Sequence, residues 1–278
     1  MHTFLSKKKL PRYTTIEKSV GETPLVALER VREKLKLSST IPLAYAGRLD
    51  PMASGKLLIL IGDECKVQEK YHSCDKVYDV EVLLGVTSDS GDVLGIVSAS
   101  NEHRIVSDEM VHNVLLQNVG TIKLPYPHFS SKTVKGKPLH TWALEKRLGE
   151  IEIPVKESRI FKIVCTGLRT ISKQEILKTV REKIETIPPV TDARKALGAD
   201  FRRDEVRDAW NRIENDSHES YQILSFTCTA SSGSYMRSLS EKIAKELGTM
   251  GLAYSIHRTT IGSYVPLTKT FGFWLKKF

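Results

Sequence analysis

The residues best suited to chemistry stand in one short run, Gly47-Arg48-Leu49-Asp50-Pro51-Met52-Ala53-Ser54-Gly55. Proline holds the residue before it in extended backbone, so the Asp50 main chain is fixed rather than free. A glycine at each end permits a sharp turn and the close approach of a ligand. A carboxylate on a stiff loop is what a nucleophile or a general base requires. The same run also reads as an Asx-Pro turn, and its own residues leave both readings open. Other catalytic signatures are missing. There is no G-x-G-x-x-G, G-x-x-x-x-G-K-[ST] or H-E-x-x-H, no H-x-E with P-C-x-x-C and no G-x-S-x-G. Nicotinamide, nucleotide-hydrolysing, zinc and serine-hydrolase chemistry lose their main support. Scattered histidines such as His128 and His140 suit surface or structural roles better than metal ligation.

The elements that must carry this loop show in the apolar periodicity. Thr23-Pro24 reads as an N-cap and a first helical residue, and Leu25, Leu28, Val31 and Leu35 mark one face of a helix ending near Leu37. A loop over 38–55 leads into an apolar strand at 57–61. From Lys76 onward Tyr78, Val80, Val82 and Leu84 alternate as in a half-buried strand. A turn at 88–92 precedes a returning strand at 94–97. Ser107 caps a helix that buries Met110, Val111, Val114 and Leu115. Residues 125–140 read as loop, and a helix over 141–148 ends at Gly149. Strands at 159–165 and 221–229 follow, then a helix over 237–247 closed by Gly248. Residues 169–219 differ: two amphipathic helices split by Pro188-Pro189, with eleven basic residues against eleven acidic ones. This segment reads as an insertion that packs on the body.

The chain has 278 residues, 40% hydrophobic and 27% charged. That allows one large or two small domains and a sizeable core without disulfide or metal staples. Its longest apolar run, 57–61, falls far short of the roughly 18 residues of a membrane span. Cys65, Cys74, Cys165 and Cys228 lie far apart, which fits a reducing interior rather than a disulfide framework or zinc site. The basic N-terminus lacks the apolar stretch of a secretory signal, so a cytoplasmic protein is expected. Net charge is +9, and residues 1–20 (+4) and 229–278 (+5) carry all of it. Basic charge confined to two segments points to a polyanion footprint.

Six blocks in order carry a resemblance. Ala46-Gly47-Arg48-Leu49-Asp50-Pro51-Met52-Ala53-Ser54-Gly55-Lys56-Leu57 is similar to the G-T-L-D-P-x-A-x-G-x-L signature of the TruB family of tRNA pseudouridine synthases. Lys18-Ser19-Val20-Gly21-Glu22-Thr23 resembles its K-P-x-G-x-[ST]. Lys76-Val77-Tyr78, leading to Leu84-Gly85-Val86-Thr87-Ser88-Asp89 and Gly91, resembles its K-x-Y and L-G-x-x-T-D-[ST]-x-D-x-x-G. Pro127-His128-Phe129-Ser130-Ser131-Lys132-Thr133-Val134-Lys135-Gly136-Lys137 is similar to its P-x-x-S-A-x-K-x-x-G-K. Ser232-Gly233-Ser234-Tyr235-Met236-Arg237-Ser238-Leu239 resembles its [SK]-G-T-Y-[IV]-R-[ST]-L, and Ile256-His257-Arg258-Thr259 its L-R-R-T.

The resemblance implies an α+β pseudouridine synthase fold, with a mixed, mostly antiparallel sheet and flanking helices and loops around a catalytic cleft. Residues 1–278 would form the catalytic domain and 169–219 a helical insertion within it. It further implies an isomerase that detaches uracil from C1′, turns it and rejoins it through C5, with no metal or small-molecule cofactor. The implied substrate is the T-loop uridine at tRNA position 55. Asp50 then matches the catalytic aspartate and Arg237 the arginine paired with it. A guanidinium nearby keeps a carboxylate ionised. Tyr78 matches the tyrosine that stacks on the flipped base and helps remove the C5 proton. Ile256 matches a pocket wall and Lys18 a structural contact, and Tyr45, Arg48, Lys132 and Arg258 join them as substrate-binding residues. The base must leave its stack at a cost of a few kcal/mol, while the basic ends hold phosphates.

Four positions depart from the pattern. Tyr45 stands where the family usually has a histidine, Arg48 for a threonine or alanine, Ser19 for a proline and His257 for the first arginine of the last block. The chain after Tyr264 is expected to be too short for the C-terminal PUA domain of many members, which would weaken the grip on the acceptor stem. The expected partner is the T arm of tRNA, met by a monomer away from any membrane. Two rivals remain: an RNA-binding or tRNA-folding chaperone without turnover, and a scaffold built on the neutral insertion. The scaffold predicts no salt-sensitive RNA binding.

Overall fold

In the computed structural model, which describes residues 10–99, 104–187, 202–268 and 271–278, the apolar runs assemble around one nine-stranded sheet. Strand β1 (Tyr13–Lys18) is followed by helix α1 (Pro24–Lys34), β2 (Leu43–Ala46) and β3 (Ser54–Ile61). The short α2 (Glu69–His72) precedes β4 (Asp75–Leu84) and a small hairpin of β5 (Val86–Ser88) and β6 (Val97–Ala99). Next come α3 (Asp108–Gln117), β7 (Gly120–Pro125), a hairpin of β8 (Thr133–Val134) and β9 (Lys137–Pro138), and α4 (Leu139–Leu144). The long β10 (Val155–Ser172) runs into α5 (Lys173–Glu185). The chain ends with α6 (Arg203–Glu214), β11 (Ser220–Ala230), α7 (Met236–Glu246), β12 (Gly251–Pro266) and β13 (Gly272–Lys277).

The sheet order is β1-β3-β12-β4-β11-β10-β7, with β2 beside β3 and β13 beside β12. Its pairings are antiparallel except that β3 and β12 run parallel, through Ser54 opposite His257 and Gly55 opposite Arg258. The α+β class and the mixed, mostly antiparallel sheet are as expected. Strand β3 is buried on both faces. Leu57 and Ile59 meet Ala27, Leu28 and Val31 of α1, while Leu58 and Leu60 meet Ala46 and Tyr71. Each such fully buried side chain contributes about 1.5–3 kcal/mol gross. The main core lies along β4, β10, β11 and β12, where α3, α5, α6 and α7 supply Val111, Val180, Trp210 and Ile243. No helix among the described residues is long and apolar enough to cross a membrane.

Caps behave as their residue types require. Thr23 Oγ1 accepts from Val26 N, Ser107 Oγ from Met110 N and Ser172 Oγ from Glu175 N. Gly248, at φ 77°, ends α7. Several boundaries move. The expected loop at 38–55 contains β2, because those residues hydrogen-bond to the edge of β3. The expected loop at 125–140 contains β8 and β9. The helix expected at 141–148 is α4 instead, and Lys146 at φ 57° stops it short of Gly149. The returning strand expected at 94–97 becomes β6, since Asp89 and Asp92 hydrogen-bond to Ile96 N and Leu94 N and hold that stretch as a loop. Strand β10 extends to Ser172, taking the first residues expected in the insertion. On α1, Leu25 and Leu35 are exposed. Pro188-Pro189 lies outside the described residues.

Candidate active site

The loop bearing Asp50 is shaped at both glycines. Gly47 sits at φ 81° and Gly55 at φ 109°. A Cβ on Gly55 would stand 2.3 Å from the Arg258 carbonyl oxygen, so only glycine allows β3 to lie this close to β12. Ala53 N donates to Asp50 O at 3.0 Å, and Gly21 N to Pro51 O at 2.8 Å. Two buried cations satisfy the loop's remaining inward carbonyls. Lys18, fully buried at the end of β1, donates to Ala53 O at 2.6 Å and Ser19 O at 2.8 Å. Arg258, 1% exposed, donates to Lys56 O at 2.7 Å, Gly47 O at 3.0 Å and Arg48 O at 3.4 Å. Burial pulls the Lys18 amine down to about 8, against the opposing charges of Glu22 and Asp50. Buried Lys76, down to about 8 for the same reason, donates to Cys74 O beneath Gly47.

Arg237 enters from the first turn of α7 with its side chain 4% exposed. Nη2 lies 2.9 Å from Asp50 Oδ2 and donates to Phe129 O at 3.2 Å, while Nη1 donates to Ser90 O at 2.8 Å. Nε, without a hydrogen-bond acceptor, faces Asp92 Oδ2 at 3.5 Å. Burial works against the Arg237 charge, but Asp50 and Asp92 outweigh it and hold its pKa above the ordinary value. Burial raises the Asp92 carboxyl despite Arg237, and pushes Glu241, one turn along α7, up to about 7. The Asp50 side chain keeps 34% of its surface exposed. A carboxylate gripped on one side and open on the other is positioned to react with a molecule arriving from solvent.

Tyr78, buried on β4, lies opposite Arg258 of β12. Burial raises its phenol pKa, and the charge and hydrogen bond of Arg258 oppose that rise. Asp50, Arg237, Tyr78, Lys18 and Arg258 thus form one connected group. Tyr45 and Arg48 pair beside it, with Arg48 Nη2 donating to the Tyr45 hydroxyl at 3.3 Å. Lys132 stands further out, its Nζ 5.5 Å from the Tyr126 ring centre. That ring meets Tyr235 at 5.3 Å, whose phenol is pushed up to about 12 by burial, with Tyr126 and Asp50 adding to the rise. Ile256 is buried opposite Val80 and packs in the main core.

Sequence reasoning missed Asp92, which it took only as a turn residue. The second aspartate of the L-G-x-x-T-D-[ST]-x-D block falls on it and marks it. The Ser90 and Phe129 carbonyls had no such signal, being main-chain groups. Two of the seven basic residues in 229–278, Arg237 and Arg258, are buried beneath the site. That segment's +5 is therefore not all available to phosphates.

A sequence model of the TruB family pseudouridylate synthase N-terminal domain matches residues 34–174, just over half of the chain. tRNA pseudouridine synthase 4 of Saccharomyces cerevisiae is 28% identical over 240 residues, which is 78% of this chain and 60% of that protein. tRNA pseudouridine synthase B of Caldicellulosiruptor saccharolyticus is 27% identical over 249 residues, 90% of this chain and 67% of that one. The Thermotoga maritima protein of the same name is 32% identical over 146 residues, 52% of this chain and 45% of its own. This chain thus spans about half to two thirds of these relatives' length. Among solved structures, a chain in a Cbf5-Nop10-Gar1 complex is similar with a TM-score of 0.54 at 14% identity. The similarity covers 90% of this chain and 48% of that one, and at this identity it speaks for the fold alone.

Proposed function

We propose a reaction for this chain from the premise that it belongs to the TruB family of pseudouridylate synthases: it isomerises a uridine of tRNA, at position 55 of the T loop, to pseudouridine. The observation that carries this reading is the contact between a half-open Asp50 and a buried Arg237. The names of the yeast and bacterial relatives support tRNA as the substrate.

The target uridine first leaves its stack and enters beside the loop, at a cost of a few kcal/mol. Arg237 holds and aims Asp50 through the 2.9 Å contact of Nη2 with Oδ2. Asp50 starts cleavage of the C1′–N1 bond at the sugar. The freed uracil turns, C5 bonds to C1′, the C5 proton leaves and N1 ends protonated, so atoms balance with no added reactant. We assign Tyr78 to the C5 proton: its phenol passes its own proton toward N1, and the phenolate, which Arg258 favours against burial, then takes the proton from C5. We assign Lys18 and Arg258 to holding the loop, because their donors are taken by its carbonyls. Tyr45 and Arg48 pair beside the loop, and we assign them, with Lys132, to the RNA. Ile256 is assigned to the wall behind the base. Four free cysteines favour the cytoplasm as the setting, with the chain acting as a monomer on the T arm.

Tritium release from C5-labelled uridine in unmodified tRNA tests the reading. Release by wild type and none by Asp50→Ala is the expected result. Binding of tRNA without release by either protein would favour the chaperone instead.

A further inference from the structure

Helix α6 approaches the site from the helical pair, and the residue before it makes two contacts there. The Arg202 guanidinium forks onto Asp89, with Nη1 2.5 Å from Oδ2 and Nη2 3.2 Å from Oδ1. The same group lies 4.1 Å over the centre of the Phe129 ring. Its side chain is 15% exposed, and its backbone lies at φ 58°, in the left-handed region uncommon for residues other than glycine.

Asp89 and Phe129 belong to different loops, and both loops end on Arg237. Asp89 closes the neck between β5 and β6: its N donates to Ile96 O, and its Oδ1 accepts from Ile96 N at 2.9 Å. The turn is so tight that a Cβ on Gly95 would stand 2.3 Å from Ser90 Oγ. A shift at Asp89 therefore moves Ser90, whose carbonyl accepts from Arg237 Nη1. The Phe129 carbonyl accepts from Nη2, the nitrogen that also meets Asp50. Trp210 of α6 grips the same turn a second time, its Nε1 donating to Val93 O at 2.9 Å.

We propose that Arg202 is a positioning residue for the reaction: it clamps the two loops whose carbonyls aim Arg237 at Asp50. The proposal rests on reading Asp50 and Arg237 as the reacting pair, and it gives the helical pair a task at the site.

The test compares wild type, Arg202→Ala, Arg202→Lys, Asp89→Ala and the Arg202→Ala/Asp89→Ala double variant. Single-turnover tritium release, tRNA affinity and thermal midpoint are measured for each. Arg202→Ala should slow release about 10- to 100-fold with tRNA affinity within about 2-fold, because a misplacement near 1 Å acts on the rate of the chemical step. Arg202→Lys keeps the charge but loses the fork and the flat face, so it should stay near the alanine rate. The double variant should be no slower than the worse single one, since both remove one clamp. Should Arg202→Ala fail to fold, Phe129→Leu removes the stacking face alone and should slow release several-fold. Unchanged release, a loss confined to tRNA affinity, or multiplied losses in the double variant would overturn the clamp. A wild type that binds tRNA and releases no tritium overturns the reaction itself, a separate failure.

Discussion

Asp92→Asn keeps the outline of the side chain and removes one of the two negative charges that touch Arg237. Arg237 Nε has no hydrogen bond and lies 3.5 Å from Asp92 Oδ2, so charge attraction is what the change removes. At that distance the attraction is about 5 kcal/mol for an effective dielectric of about 20. Opposing it is the cost of burying the carboxylate, again several kcal/mol. The raised Asp92 pKa shows which prevails: burial outweighs Arg237. The folded state thus binds the Asp92 proton more tightly than the unfolded chain does. Stability falls as pH rises through and above the ordinary carboxylate range, and asparagine is spared that fall. In urea at about pH 7 the variant should match or exceed wild type in stability, and the difference should shrink toward about pH 4. Turnover should move the other way. Arg237 loses one tether, and a displacement of about 1 Å costs about 100-fold in single-turnover tritium release. A variant less stable by about 3 kcal/mol or more would show that the attraction dominates, and near-normal release would show that Asp92 does not position Arg237.

Two other perturbations test the support around the site. Gly55→Ala combines a φ of 109° with a Cβ driven against the Arg258 main chain; it should lose about 3 kcal/mol or more of stability by urea titration, and a wild-type midpoint would refute the tight β3–β12 approach. Lys183 of α5 donates to Tyr254 O and lies 4.3 Å over that ring, its amine lowered by burial to about 8 from 10.5. Between those values the unfolded chain binds more protons than the folded one, so this group's contribution to stability rises with pH, by at most about 1.4 kcal/mol per unit. Urea midpoints of wild type and Lys183→Met should therefore diverge in favour of wild type between about pH 8 and pH 10, and a constant difference would refute the buried amine.

Asp50, Tyr78 and Arg237 stand out in the sequence through the resemblance to the TruB blocks, since alone the Asp50 run reads equally as an Asx-Pro turn and Tyr78 as one position of an alternating strand. Strands are legible where apolar residues alternate, as along β4, or run on, as in β3. The short β2, β8 and β9 are not, since they owe their state to a neighbour's hydrogen bonds rather than to their own residues. Helix α4 is legible but its bounds are not: its end is set by Lys146 in the left-handed region, where no glycine advertises it. Asp92 hides in a run of serine, aspartate and glycine that reads as a turn. Linear charge counting fails at Arg237 and Arg258, because folding draws both beneath the loop.

Arg258 reaches back 202 residues to the Lys56 carbonyl, beside the one parallel seam of the large sheet. Partners so far apart along the chain close a long loop before any contact returns the entropy. A ribosome adding about 5–20 residues each second delivers the Asp50 segment roughly 10–40 s ahead of the strand that locks it. Until that strand has emerged, the nascent chain carries Asp50 on a loop that Arg258 does not yet hold.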